Sequence, residues 1–298
     1  MRNLFRGSML AIATAVVIVA VLWLVVKPTS GQGQAYRAPR TADDRPNLNG
    51  IWQALNTANW DIEGHAAGPA PFPQLLGAIG AIPAGQGVVE GNEIPYQPWA
   101  AAKKRENYET RLTVDPLKLI GGDPEARCYF PGVPRATYMP YPLQIVQSGG
   151  TNDIGILYEF DTANRVIHMD KKAVPQVEAW MGLSFGHWEG ETLVVDVTHL
   201  NEGTWFDRAG NFHSDALHVV ERYTPISPDH LQYEATIEDP KVFTRPWKMS
   251  MPLYRRLEKG VRLLSFKCVE FAEPYAYGAI SNHPDEAMKK MWPTWSPP

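Results

Sequence analysis

The stretch LSFGHWEGETLVVDVT, residues 183–198, is the strongest guide to the architecture. Two runs rich in β-branched and aromatic residues flank Glu189-Gly190, and glycine accepts the positive φ that a tight hairpin turn requires. The expectation is a β-hairpin over 183–188 and 192–198. A polar, aromatic loop follows over 201–215, carrying Trp205, Asp207, Arg208, His213 and Asp215, and a strand-like run over 217–224 closes the unit. This loop holds the densest polar constellation in the chain.

The same signal repeats on either side. Upstream, 143–147, 154–160 and 165–170 are short β-rich runs split by Gly149-Gly150 and by the polar 161–164. Downstream, 217–224 faces 231–238 across Ser227-Pro228-Asp229-His230, where proline presets φ for a type I turn. The run 247–257 is expected to pair with 261–271 across Glu258-Lys259-Gly260. Roughly nine strands at regular spacing imply a mainly β fold, an antiparallel meander forming a barrel or a sandwich. The 26 prolines, 24 glycines and 10 tryptophans fit many turns and aromatic packing better than a helical bundle. A net charge of -4 without a long run of one sign excludes nucleic-acid binding driven by phosphate neutralisation.

The chain before and after this meander has a different character. Arg2 and Arg6 precede an apolar run over 9–26, long for the core of a signal peptide and, at roughly 27 Å as a helix, close to a bilayer's thickness. Residues 1–27 therefore read as a transmembrane signal anchor, with cleavage at the small-x-small Gly33-Gln34-Ala35 as the alternative. The leading arginines favour an N-inside orientation, giving a single-pass inner-membrane protein with its soluble domain in the periplasm. Residues 28–45 form a polar linker. Residues 46–142 read as a Pro/Gly-rich strap with the first strand near Gly50, a short apolar helix over 72–82, and a helix over 99–112 opened by Pro98. The β domain spans 143–272. The tail, 273–298, carries Trp292 and Trp295, expected to bury themselves on the domain or on a partner.

Cys128 and Cys268 lie too far apart for a local zinc or redox motif. They are either a disulfide, as suits an extracytoplasmic domain, or two buried thiols.

Asn49-Gly50-Ile51-Trp52 resembles the Gly-x-Trp of the first strand in lipocalins and other calycin barrels. The resemblance implies a barrel in which Trp52 plugs one end, with an arginine from a late strand over it; Arg255, Arg256 and Arg262 are the candidates. It also implies a pocket for a small apolar ligand, with Trp52, His168, Arg135 and Trp205 as candidate contacts. The segments Gly132-Val-Pro134-Arg135, Trp188-Glu-Gly190, His213-Ser-Asp215, Glu221-Arg-Tyr223 and Thr244-Arg-Pro-Trp247 are similar to those of a group of exported bacterial proteins with no assigned activity. That resemblance carries over no functional residue.

For catalysis the candidates are His213, Asp215, His187 and Asp207, with His213 and a neighbouring carboxylate as a general acid/base pair. A metal triad with His218 and Glu221 fails if 217–224 is a strand, because the two then face opposite ways. No phosphate loop, Gly-x-Ser-x-Gly elbow, His-Glu-x-x-His helix or haem motif occurs, and neither metal nor cofactor is expected. The leading expectation is a non-catalytic accessory subunit that binds protein subunits of a membrane complex of respiratory or photosynthetic type. The alternatives are a lipocalin-like binder of an apolar ligand, and a hydrolase, isomerase or lyase using His213 and Asp215.

Overall fold

A computed structural model describes residues 36–68, 81–111, 123–170 and 177–269 and divides the chain after Tyr36; the barrel belongs to the unit from Arg37 onward. The expected anchor, most of the expected apolar helix and the tail with Trp292 and Trp295 lie outside the described residues.

Nine strands close into a barrel in sequence order: β1 (Gly50–Ala54), β2 (Leu143–Gln147), β3 (Ile154–Tyr158), β4 (Arg165–His168), β5 (Leu183–Glu189), β6 (Thr192–Thr198), β7 (His218–Ser227), β8 (His230–Glu238) and β9 (Trp247–Arg255). Helix α1 (Pro98–Thr110) starts on its proline, and a single turn, α2 (Arg135–Tyr138), precedes β2. The ring closes where β9 meets β1, Trp52 opposite Arg255 and Ala54 opposite Leu253.

An odd ring cannot alternate direction at every junction, so one pair must run parallel. That pair is β4–β5, with Ile167 opposite Ser184, and it corrects the expectation of a wholly antiparallel meander. A second correction concerns β9. Its free edge is taken by β1, so 261–271 is not its partner; the described part, 261–269, holds no strand. There Leu264 donates its backbone N–H to Glu159, and Phe266 packs on Tyr141 and Phe160.

Strand periodicity selects the inside face. β8 alternates without a break, turning Leu231, Tyr233, Ala235 and Ile237 inward; Val219, Glu221 and Tyr223 of β7 and Met249, Met251 and Leu253 of β9 do likewise. Two glycines are tied to the geometry. Gly190, at φ 61°, makes the β5–β6 turn. At Gly186 a Cβ would lie 2.6 Å from Ile167, so the parallel junction packs backbone against side chain.

The strand directions sort the loops onto two ends. One end gathers the β2–β3 and β5–β6 turns and the start of β1, and Trp52 sits there, buried, with the Arg255 guanidinium 4.1 Å above its ring. The other end gathers the loop 199–217, α2 and the strap residues 57–65. The segment after β9 crosses between the ends and finishes in a disulfide, Cys268 to Cys128, with Cα atoms 5.5 Å apart across a sequence separation of 140. Closing so long a loop removes about 5 kcal/mol of chain entropy from the unfolded state. Unfolded without reductant, the protein is expected to show no reactive thiol, and reduction should lower its Tm by several degrees; two titratable thiols would mean the bridge does not form.

Candidate functional site

The barrel interior is apolar except for one ionic cluster. Arg165 of β4 and Glu221 of β7 both point inward, as their alternation requires. Arg165 donates to Glu221 Oε1 at 2.9 Å, to Ser184 Oγ at 3.2 Å and to the Tyr223 hydroxyl at 3.0 Å. The Tyr223 and Tyr233 hydroxyls each donate to Glu221 Oε1 at 2.9 Å. The second carboxylate oxygen lies 2.7 Å from Arg165 Nη1, near enough for an ion pair but without a directed hydrogen bond. Arg165 Nε has no partner. Burial opposes the Arg165 charge, but Glu221, Tyr158 and Tyr223 together outweigh it and hold the guanidinium pKa well above its usual value. Burial also pushes the hydroxyls of Tyr158, Tyr223 and Tyr233 up, which keeps them protonated.

The loop constellation seals the far end. Asp207, fully buried, receives backbone N–H bonds from Ile62 (2.9 Å), Ala209 (2.9 Å) and Asn211 (3.2 Å), and the Asn211 amide at 2.6 Å. The same amide reaches Asp61 at 3.5 Å, and the Tyr96 hydroxyl donates to Asn211 Oδ1 at 2.9 Å. Asp207 thereby ties the strap to the loop. Burial, with the charge of Asp61 beside it, pushes its carboxyl up to about 7. Burial likewise raises Asp61.

Beside this pair stands a neutral quartet. Arg135 forks onto Asp123 at 2.8 and 2.9 Å, reaches Glu125 at 3.2 Å and donates Nε to Asn59 at 3.0 Å. Arg208 forks onto Glu125 at 2.7 and 3.0 Å. Burial opposes the Glu125 charge, but Arg208 and Arg135 outweigh it and lower its pKa. Arg135 is 1% exposed, so its positive charge is spent inside the protein.

His213 is buried under Phe206. Its Nδ1 lies 2.8 Å from the Ser214 carbonyl, which only accepts, so Nδ1 carries the proton. Nε2 then accepts from Thr204 Oγ1 at 2.5 Å. Burial depresses its pKa and keeps the ring neutral. Asp215, two residues on, is exposed and pairs with Lys241 at 2.6 Å. The structure therefore does not bring His213 and Asp215 together.

The remaining sequence candidates scatter. His187 is half exposed and 3.2 Å from Glu189. His168 lies on the outer face of β4, 3.2 Å from Asp153. Trp205 narrows the loop through its bridge to Phe212. His218 faces outward between Asp196 and Glu238, opposite in sense to Glu221, as strand geometry requires. Among the described residues no three metal-ligating side chains converge.

One of several openings among the described residues lies at the Trp52 end. A groove of about 370 Å³ runs between residues 41–49, the β2–β3 turn and the ends of β4 and β5. Asp43, Arg45, Asn47, Asn49, Asp153 and Trp188 are among its walls. Asn49 Oδ1 accepts from the Gln147 backbone at 2.6 Å and Asn47 Oδ1 from the Asn49 backbone at 3.0 Å. Asp153 accepts from the Met169 backbone at 3.0 Å.

Comparison with protein-family models, curated proteins and solved structures gives no match. The site must be read from its own chemistry. The groove and the Arg165–Glu221 cluster were both missed from sequence. An inward charge in β4 was signalled by its alternation with Ile167, whereas the groove is assembled from four separate segments.

Two outcomes are expected. Arg165→Met alone should cost about 3–5 kcal/mol, because Glu221 is left charged in the core, and Arg165→Met with Glu221→Leu should recover most of that loss. Chemical denaturation of the three proteins measures it. The second concerns pH. Asp207 binds its proton more tightly folded than unfolded, so its contribution is fully present below its unfolded pKa, near 4, and is lost as pH rises towards 7. His213, held neutral, acts in the opposite sense below its unfolded pKa. Asp61→Asn removes the repulsion and leaves His213 untouched. The Tm of wild type relative to Asp61→Asn should fall from pH 5 to pH 8; a pH-independent difference would contradict the reading.

Proposed function

We propose that this chain is a non-catalytic binding protein of the extracytoplasmic membrane face, held by the apolar segment 9–26 and working through its surface as an accessory subunit of a membrane complex. One observation carries the reading. His213, Asp207 and Arg135 are saturated by internal partners and shut inside the sealed end of the barrel, while His187 and Asp215 lie apart on the surface, against Glu189 and Lys241. A general acid or base needs reach to its substrate's proton, and His213 has both ring nitrogens occupied. The disulfide agrees with an oxidising compartment and hence with the N-inside anchor.

Within this proposal the fold is calycin-like. What supports it is Trp52 plugging one end beneath Arg255. A lipocalin-style apolar pocket draws less support, because aliphatic and aromatic side chains and the Arg165–Glu221 cluster fill the inward positions.

Solubilising native membranes in a mild detergent tests the reading. The protein is expected to elute with other subunits in constant stoichiometry. A monodisperse monomer carrying no other protein would count against it.

A further inference from the structure

The groove at the Trp52 end has a composition unlike a protein-docking face. We propose that it is a binding site for a neutral saccharide of one or two pyranose rings. This goes beyond the partner-binding reading and does not depend on it. A pyranose has an apolar C–H face and a rim of hydroxyls, each of which donates and accepts. Its site needs one flat apolar surface and a mixed ring of fixed donors and acceptors.

The groove supplies each part. Trp188 packs partly on the barrel core while lining the groove, so one ring is held against the protein with part of its surface left open. The carboxamide oxygens of Asn47 and Asn49 are taken by backbone N–H groups, which fixes both amides and leaves their NH2 groups as donors. Arg45 adds a cationic donor. Asp43 and Asp153 supply acceptors; each Asp153 oxygen already holds one partner, and a carboxylate oxygen has a second lone pair. The volume of about 370 Å³ lies at the lower end of small-molecule sites.

The rival occupant is a cationic amine, drawn by Asp43, Asp153 and Asp170. Arg45 and the two pinned amides oppose it, because each presents N–H groups that an ammonium cannot accept. An apolar ligand would strand the same polar groups without partners.

The test uses the full chain, in a detergent without a sugar headgroup, with maltose, lactose, mannobiose, chitobiose and spermidine, each titrated to about 10 mM, the weak end of specific recognition. Saturation-transfer NMR and calorimetry are the readouts. At least one disaccharide should bind with saturable heat and with transfer concentrated on its C–H face. Trp188→Ala should weaken that binding roughly tenfold or more, equivalent to about 1.4 kcal/mol. Because Trp188 also touches the core, Asn152→Ala serves as the second variant; Asn152 is exposed on the β2–β3 turn and lines the groove. It should weaken binding severalfold with Tm unchanged. Binding of no disaccharide, binding of spermidine alone, or sugar binding unaltered by Asn152→Ala and by a folded Trp188→Ala would each overturn the proposal.

Discussion

Closure of the ring is the constraint that governs every other feature of the molecule. Backbone N–H and C=O groups at a sheet edge must find partners or remain open to another chain, and here β9 and β1 satisfy one another. With nine strands, closure forces a parallel junction, which falls between β4 and β5, and a parallel junction cannot be joined by a tight turn. The chain leaves β4 beside the groove, and Met169 and Asp170 there contribute to the same wall as His187 and Trp188.

The two ends of the barrel spend their polar groups differently. At the loop end, Asp123, Glu125, Arg135, Arg208, Asp207 and Asn211 satisfy one another so completely that little remains for an external ligand. Their role is to hold irregular chain, the strap and the loop 199–217, in one arrangement without a helix or sheet to organise it. At the Trp52 end Asn47, Asn49 and Asp153 are fixed by backbone contacts yet retain hydrogen-bonding capacity. A group pinned on one side and open on the other is pre-organised for recognition.

The sequence was most legible where one period ran long. The hairpins from β5 to β8, the Pro98 helix start and the inward–outward split of His218 and Glu221 follow from alternation, turn chemistry and proline geometry alone. The parallel junction was not legible, since β4 is four residues long and its partner choice is settled by closure at a distant seam. The run 261–271 alternates imperfectly, enough to suggest a strand, but residues of its described part, 261–269, are spent on Glu159, on Tyr141 and Phe160, and on the disulfide. In the loop 201–215, residue types suggested acid–base chemistry. Only burial and hydrogen-bond direction revealed that His213 is a neutral pin, and that Asp61, far away in sequence, is the neighbour that matters to Asp207.

The ion pair inside the barrel also bears on how the ring finds its pairing. A strand displaced by one residue exchanges its two faces. Were β4 to zip up out of step, Arg165 would swing to the solvent, and Glu221, with Tyr223 and Tyr233 around it, would face a greasy interior as an uncompensated anion. The same slip would expose Ile167, and a lone interior charge adds to that cost. Arg165 and Glu221 thus act as a key that fits one alignment of a very short strand.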